Sequence, residues 1–248
     1  MTIPRVLLLL VIATLAVTAT TSPAQKKDKK WTEWSKKEAQ KILDDSPWGH
    51  TQTDTDTSQM FYSPTGDPRL SGQRETSTTG SRISEGATNQ SINVEYRVRF
   101  FSARPIRQAL ARLILLENNP PPDVVAKLQN FADLKSDTSI IVTVLFKAND
   151  QRAENRVMQA FNSAITSTLK NNVYLQRSDG KQLFLSEYVP PGKDGFGARF
   201  IFLRYPEEKP FIDTNTSEIR FFAEFPNVAK IDRRFKLAEM MYQGELEY

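Results

Sequence analysis

The chain has 248 residues, 39% of them hydrophobic and 25% charged, which suits one globular domain with some chain to spare. It contains no cysteine, so disulfides, thiol catalysis and cysteine-ligated metal are excluded. The net charge of +4 is the small difference between 33 basic and 29 acidic residues, without the clustered basic face of a nucleic-acid binder.

Residues 1–24 read as a secretory signal peptide. Met1 to Arg5 form a short positive region, Val6 to Ala16 an apolar one, and small residues then allow cleavage after Ala19 or, leaving a polar start at Gln25, after Ala24. The apolar run is too short for the ~20 residues of a spanning helix. Loss of Arg5 with the leader lowers the net charge from +4 to +3. The expectation is export, to the periplasm or beyond the cell.

Residues 25–48 hold all three tryptophans, Trp31, Trp34 and Trp48. Ser35-Lys36-Lys37-Glu38 has the S-x-x-E form of a capping box, and Ala39, Ile42 and Leu43 fall on one helical face. Ser46-Pro47 stops the helix. About ten residues of helix are unstable alone in water, so this one needs a surface: its own domain, a protein partner or a membrane interface.

From Gly49 to Gln90 the composition turns to Ser, Thr, Gly and Gln, and the stretch reads as a flexible linker with Met60-Phe61-Tyr62 as an isolated anchor. Residues 91–248 read as a single domain. Ile92 to Phe100 alternate as a half-buried strand, and Pro105 opens a largely buried helix. Pro120-Pro121-Pro122 breaks it before a second helix. Ser139 to Phe146 is a β-branched central strand. Asp150 caps a helix that the periodicity carries to about Leu169. Strands follow, two of them joined through Asp179-Gly180 as a hairpin, with further strands at 198–205, 218–225 and 230–242. The fold class is α+β: a mixed, mostly antiparallel sheet with about three helices on one face and the N-terminal amphipathic helix on its linker.

The chemistry-bearing residues are sparse. His50 is the single histidine, and with Asp54 and Asp56 it offers too few ligands for a metal centre in a Thr-rich stretch. The loop Pro190 to Gly197 lacks the Ser or Thr and the following helix of a phosphate loop, and Asp194 would repel phosphate, so no nucleotide is expected there. Lys193 and Phe196 at its tip are candidate contacts. Arg97, Arg99, Arg104, Arg107 and Arg112 form a basic neighbourhood that reads as the solvated side of an amphipathic strand and helix. Glu187, Asp213, Glu218 and Glu224 are carboxylates that glycoside hydrolysis could use in pairs.

The segments WTEWSKKEAQKILDDSPW, YRVRFFSARPIRQALARL, EYVPPGKDGFGARFIF and FKLAEMMYQGELEY together resemble an uncharacterised group of secreted proteins from soil bacteria. The resemblance implies export and this layout; it brings no activity, cofactor or catalytic residue. The expectation is an exported, non-enzymatic binding module without cofactor or metal, with Trp31, Trp34, Trp48, Lys193 and Phe196 as its contact residues. Its partner would be an envelope protein met through the N-terminal helix, or a membrane surface in peripheral contact. The alternative is a carboxylate-dependent hydrolase acting on an envelope or extracellular polymer.

Overall fold

The computed structural model describes residues 29–57, 91–118, 120–135, 138–213 and 215–248. The stretches read from sequence as a signal peptide (1–24), as an anchor at Met60–Tyr62 and as the rest of the linker (58–90) lie outside these residues. Within them the chain is α+β, with mostly antiparallel sheets.

A 3₁₀ turn, Trp31–Glu33, leads into α1, Lys36–Asp44. The capping box is present in both directions: the Glu38 amide donates to Ser35 Oγ, and the Ser35 amide donates to Glu38 Oε2. The first strand, β1, is Gly49–Asp56. This corrects the expectation of a linker beginning at Gly49. The run GHTQTDTD has no apolar alternation to announce a strand, yet it pairs along its whole length with β2, Ile92–Phe100. Gly49 is required at its start, because a Cβ there would collide with the carbonyl of Leu43 at the end of α1.

After β2 come α2, Arg104–Asn118, and α3, Pro122–Asp133, then β3, Ser139–Ala148. The helical hairpin returns the chain to the end of the sheet it left, so β3 runs antiparallel to β2, where a single crossover helix would have made it parallel. Next is α4, Gln151–Ser163, capped by Asp150 Oδ1 at 2.8 Å from the Ala153 amide. It stops at Ala164 instead of reaching Leu169. The extended Ile165 separates it from a four-residue α5, Thr166–Leu169.

The remaining strands are β4 (Val173–Arg177), β5 (Gln182–Phe184), β6 (Glu187–Val189), β7 (Ala198–Leu203), β8 (Glu218–Phe225) and β9 (Ala229–Lys236). A 3₁₀ turn, Leu237–Glu239, ends the last of these, and a small hairpin of β10 (Met241–Tyr242) and β11 (Glu245–Leu246) follows.

The strands do not form one sheet. They divide into a first sheet of order β1-β2-β3-β7-β6 and a second of order β5-β4-β8-β9, every pair antiparallel. The chain from Gln182 to Val189 belongs to both. Its first part pairs with β4 and its second with β7, so it turns the corner between the sheets.

On the opposite side, β1 and β9 are stitched by a side chain. The Gln52 amide donates to Lys230 O at 2.7 Å and accepts from the Asp232 amide at 3.0 Å, as a neighbouring peptide group would. Between the sheets lies an aromatic core. Phe200 and Phe202 of the first sheet meet Phe221 of the second, and Phe100 meets Phe235 edge-on at 4.8 Å. Phe161 from α4 closes one end, stacked on Phe225 at 4.1 Å.

Candidate functional site

The three tryptophans are not available to a partner. Trp31, Trp34 and Trp48 are 9%, 7% and 8% exposed and belong to the hydrophobic core. The indole N–H of Trp48 donates to Glu247 O at 2.9 Å, and its ring meets Tyr242 edge-on. Trp34 donates to Lys29 O, and its own carbonyl accepts from Arg112 Nε at 2.6 Å. The helix therefore docks on its own domain. Indoles are large enough to bury a short amphipathic helix that could not hold itself.

The Pro190–Gly197 loop is also less free than its sequence suggests. Phe196 packs against Phe101 and Phe131 at 5.2 and 6.3 Å, which anchors the loop to α3 and to the residue after β2. Asp194 holds the Phe196 amide and pairs with Arg199. Lys193 stands out in solvent with the backbone of its tip, Gly192 to Gly195.

The basic neighbourhood is consumed by internal contacts. Arg99 is 5% exposed and bonds Leu43 O and Asp44, clipping α1 to the first sheet. Arg104 pairs with Glu247 at 2.6 Å, joining α2 to the segment after β11. Arg107 donates to the carbonyls of Ser102 and Leu134. Arg99, Arg104 and Arg112 each tie two segments together, Arg107 keeps a buried Nε without a hydrogen-bond partner, and Arg97 stays partly exposed beside Glu95 and Asp44.

The carboxylates named from sequence are divided between the two sheets and a loop. Glu187 is on β6 of the first sheet, while Glu218 and Glu224 share β8 but lie six residues apart, about 20 Å along a strand. Paired catalytic carboxylates need to be about 5–9.5 Å apart. Asp213 is held well below the usual carboxylate range, chiefly by the hydroxyl of Thr216 and then by backbone amides of its own turn. Alternation in β1 places His50, Gln52 and Asp54 on one face, but no group of three or more metal-ligating side chains gathers among the described residues. His50 lies edge-on to Phe235 at 4.6 Å, and burial pushes its pKa down.

One surface was not visible in the sequence. Strands in the second sheet alternate inward and outward, and the outward row should be polar where no helix covers it. Here three aromatics occupy it. The register pairs Tyr174 with Phe184 on one side and with Phe222 on the other, so the rings form a continuous row across β5, β4 and β8. Tyr174 lies parallel to Phe222 at 4.9 Å and edge-on to Phe184 at 6.0 Å. Phe184 is 44% exposed, and Tyr174 is half-buried. Phe222 is roofed by Arg220 and Lys230, whose charged ends sit 5.2 and 5.6 Å from its ring centre.

A polar row runs beside the aromatic one. Gln182, Gln176, Arg220 and Arg234 occupy successive strands at neighbouring register positions. Arg220 grips Asp232 with two bonds of 2.7 and 2.5 Å and reaches Gln176 Oε1 at 3.2 Å. This fork holds the Asp232 carboxyl below its ordinary range and the guanidinium above its own. At its Phe184 end the aromatic row opens onto a groove of ≈ 520 Å³ lined by Thr166, Ser167, Lys170, Leu183, Leu185, Ser186 and Leu203. A second opening, of ≈ 180 Å³ beside Asp54, Tyr96 and Arg156, is smaller and has no such extension.

Comparison with protein-family models, with curated proteins and with solved structures finds no match to this chain.

Proposed function

We propose that the protein is an exported, non-enzymatic binding module whose contact surface is the open face of the second sheet. The observation that carries this reading is the aromatic row Phe184–Tyr174–Phe222, which the register sets on the outward side of the second sheet, with Phe184 exposed and Tyr174 half-buried among the described residues. Phe222 is buried beneath its two cations, but the exposed Phe184 and half-buried Tyr174 leave apolar ring surface in water, which costs solubility and fits a surface used for recognition. The polar row beside it and the groove beyond Phe184 supply directional contacts and depth. The leader-like residues 1–24 support export.

The test is capture from a cell-envelope fraction by the chain starting at Gln25, compared with its Tyr174→Ala/Phe184→Ala variant. Retention by the parent and loss by the variant, at an unchanged melting temperature, is the expected result. Equal retention by both would overturn the assignment of the surface.

A further inference from the structure

Resting on that reading, we propose that the occupant of the open face is an uncharged polysaccharide chain, laid across the strands along the aromatic row and into the groove beyond Phe184. Two chemical features select it.

The first is the pairing of rings with hydrogen-bonding groups. A sugar ring presents one face of C–H bonds and an edge of hydroxyls. The C–H face suits the negative face of an aromatic ring, and Tyr174 and Phe184 are the rings within reach. Hydroxyls at the edge need partners that both donate and accept, and the amides of Gln176 and Gln182 lie in the adjacent row. The hydroxyls of Thr166, Ser167 and Ser186 continue the same chemistry in the groove. Crossing from β9 to β5 alone covers about 14 Å, three inter-strand spacings, which calls for an extended ligand.

The second feature is charge. Arg220 is paired with Asp232 and Arg234 with Glu218, while Lys230 stands opposite Glu224 in the register. With Lys236 paired to Glu239, the exposed Lys170 at the groove is the excess charge on this face, a field too small to hold a polyanion, so a nucleic acid, an anionic lipid surface or a uronate polymer has little electrostatic complement there. An uncharged polyhydroxyl chain needs none.

The experiment is affinity electrophoresis of the chain from Gln25 in gels containing soluble neutral polysaccharides (a β-linked glucan, a dextran, a mannan), with polygalacturonate as the anionic probe. Retardation by at least one neutral polymer is expected, unchanged by about 0.3 M salt and weakened about tenfold or more in Tyr174→Ala and in Phe184→Ala. Lys127→Ala, on the exposed side of α3, which packs on α2 and not on the second sheet, should bind as the parent does. No retardation by any neutral polymer would overturn the inference, and so would retardation confined to polygalacturonate and lost in salt. Envelope capture that depends on Tyr174 and Phe184 without glycan retardation would refute the polysaccharide while leaving the binding face in place.

Discussion

At the scale of single residues, Trp48 shows how the N-terminal segment is tied to the rest. Its ring is buried against Tyr242, and its N–H satisfies a carbonyl 199 positions further along the chain. Trp48→Phe keeps most of the ring and deletes the donor, leaving Glu247 O without that partner. The expected cost is about 1–2 kcal/mol, read as a melting temperature lower by about 3–6 °C. His50 makes a different prediction. Burial, followed by the Arg233 charge, lowers its pKa in the folded state, so the unfolded chain binds the proton more readily. Stability from the neutral imidazole is therefore complete above the ordinary value of 6.5 and is lost as pH falls through the lower folded pKa. The carboxylates whose pKa values are depressed, Asp213, Asp232 and Glu245 among them, begin to contribute to acid loss only below about 4.5. With one histidine in the chain, a decline in melting temperature between about pH 6.5 and 5.5, above the range in which carboxylates protonate, points to it. His50→Phe should flatten that part of the profile; an unaltered slope would remove His50 as its cause.

At the scale of elements, the seam between β1 and β9 depends on one amide. Gln52→Leu leaves Lys230 O and the Asp232 amide to water, and at this half-exposed position the cost should be about 1 kcal/mol. Hydrogen exchange offers a sharper readout: the Asp232 amide should exchange faster in the variant while amides inside β8 keep their protection. The same strand explains where sequence reading failed. Helix α1, strands β2 and β3 and the Asp179-Gly180 hairpin were legible because each carries its own signal: a capping box, a period-two alternation, a β-branched run, a turn dipeptide. Strand β1 carries none. Its inward positions are His50, Gln52 and Asp54, which do at the seam what apolar residues do elsewhere, through hydrogen bonds and an edge-on ring contact. The aromatic row was hidden for another reason. Tyr174, Phe184 and Phe222 are each unremarkable within their own strand and become a surface only through register, which local pattern does not fix. Gly197 marks the loop before β7. Its φ of +80° favours glycine, and a Cβ there would strike Val144 O. Gly197→Ala should cost about 1–3 kcal/mol in a thermal melt, whereas a substitution at the exposed Lys193 should leave the melt unchanged.

At the scale of the whole molecule, the N-terminal helix is a structural part of the domain, joined to it by groups that have no other use. A chain beginning at Gly49 would lose the burial of Trp31, Trp34, Ala39, Leu43 and Trp48, and would also strip Arg99 of Leu43 O and Asp44 and Arg112 of Trp34 O. Each large apolar side chain is worth about 1.5–3 kcal/mol, and leaving a buried guanidinium unpaired costs about 3–5 kcal/mol. Together these rival the 5–15 kcal/mol that holds an ordinary domain folded. The expected outcome is a chain without a cooperative melt and without near-ultraviolet circular dichroism, beside a chain from Gln25 that has both. A truncated chain melting cooperatively within a few degrees of the parent would mean that the helix adds little to the domain and that its tryptophans are buried for some purpose other than stability. Loss of folding would place the N-terminal limit of the domain between Gln25 and Gly49 and make the helix with its tryptophans part of the folding unit.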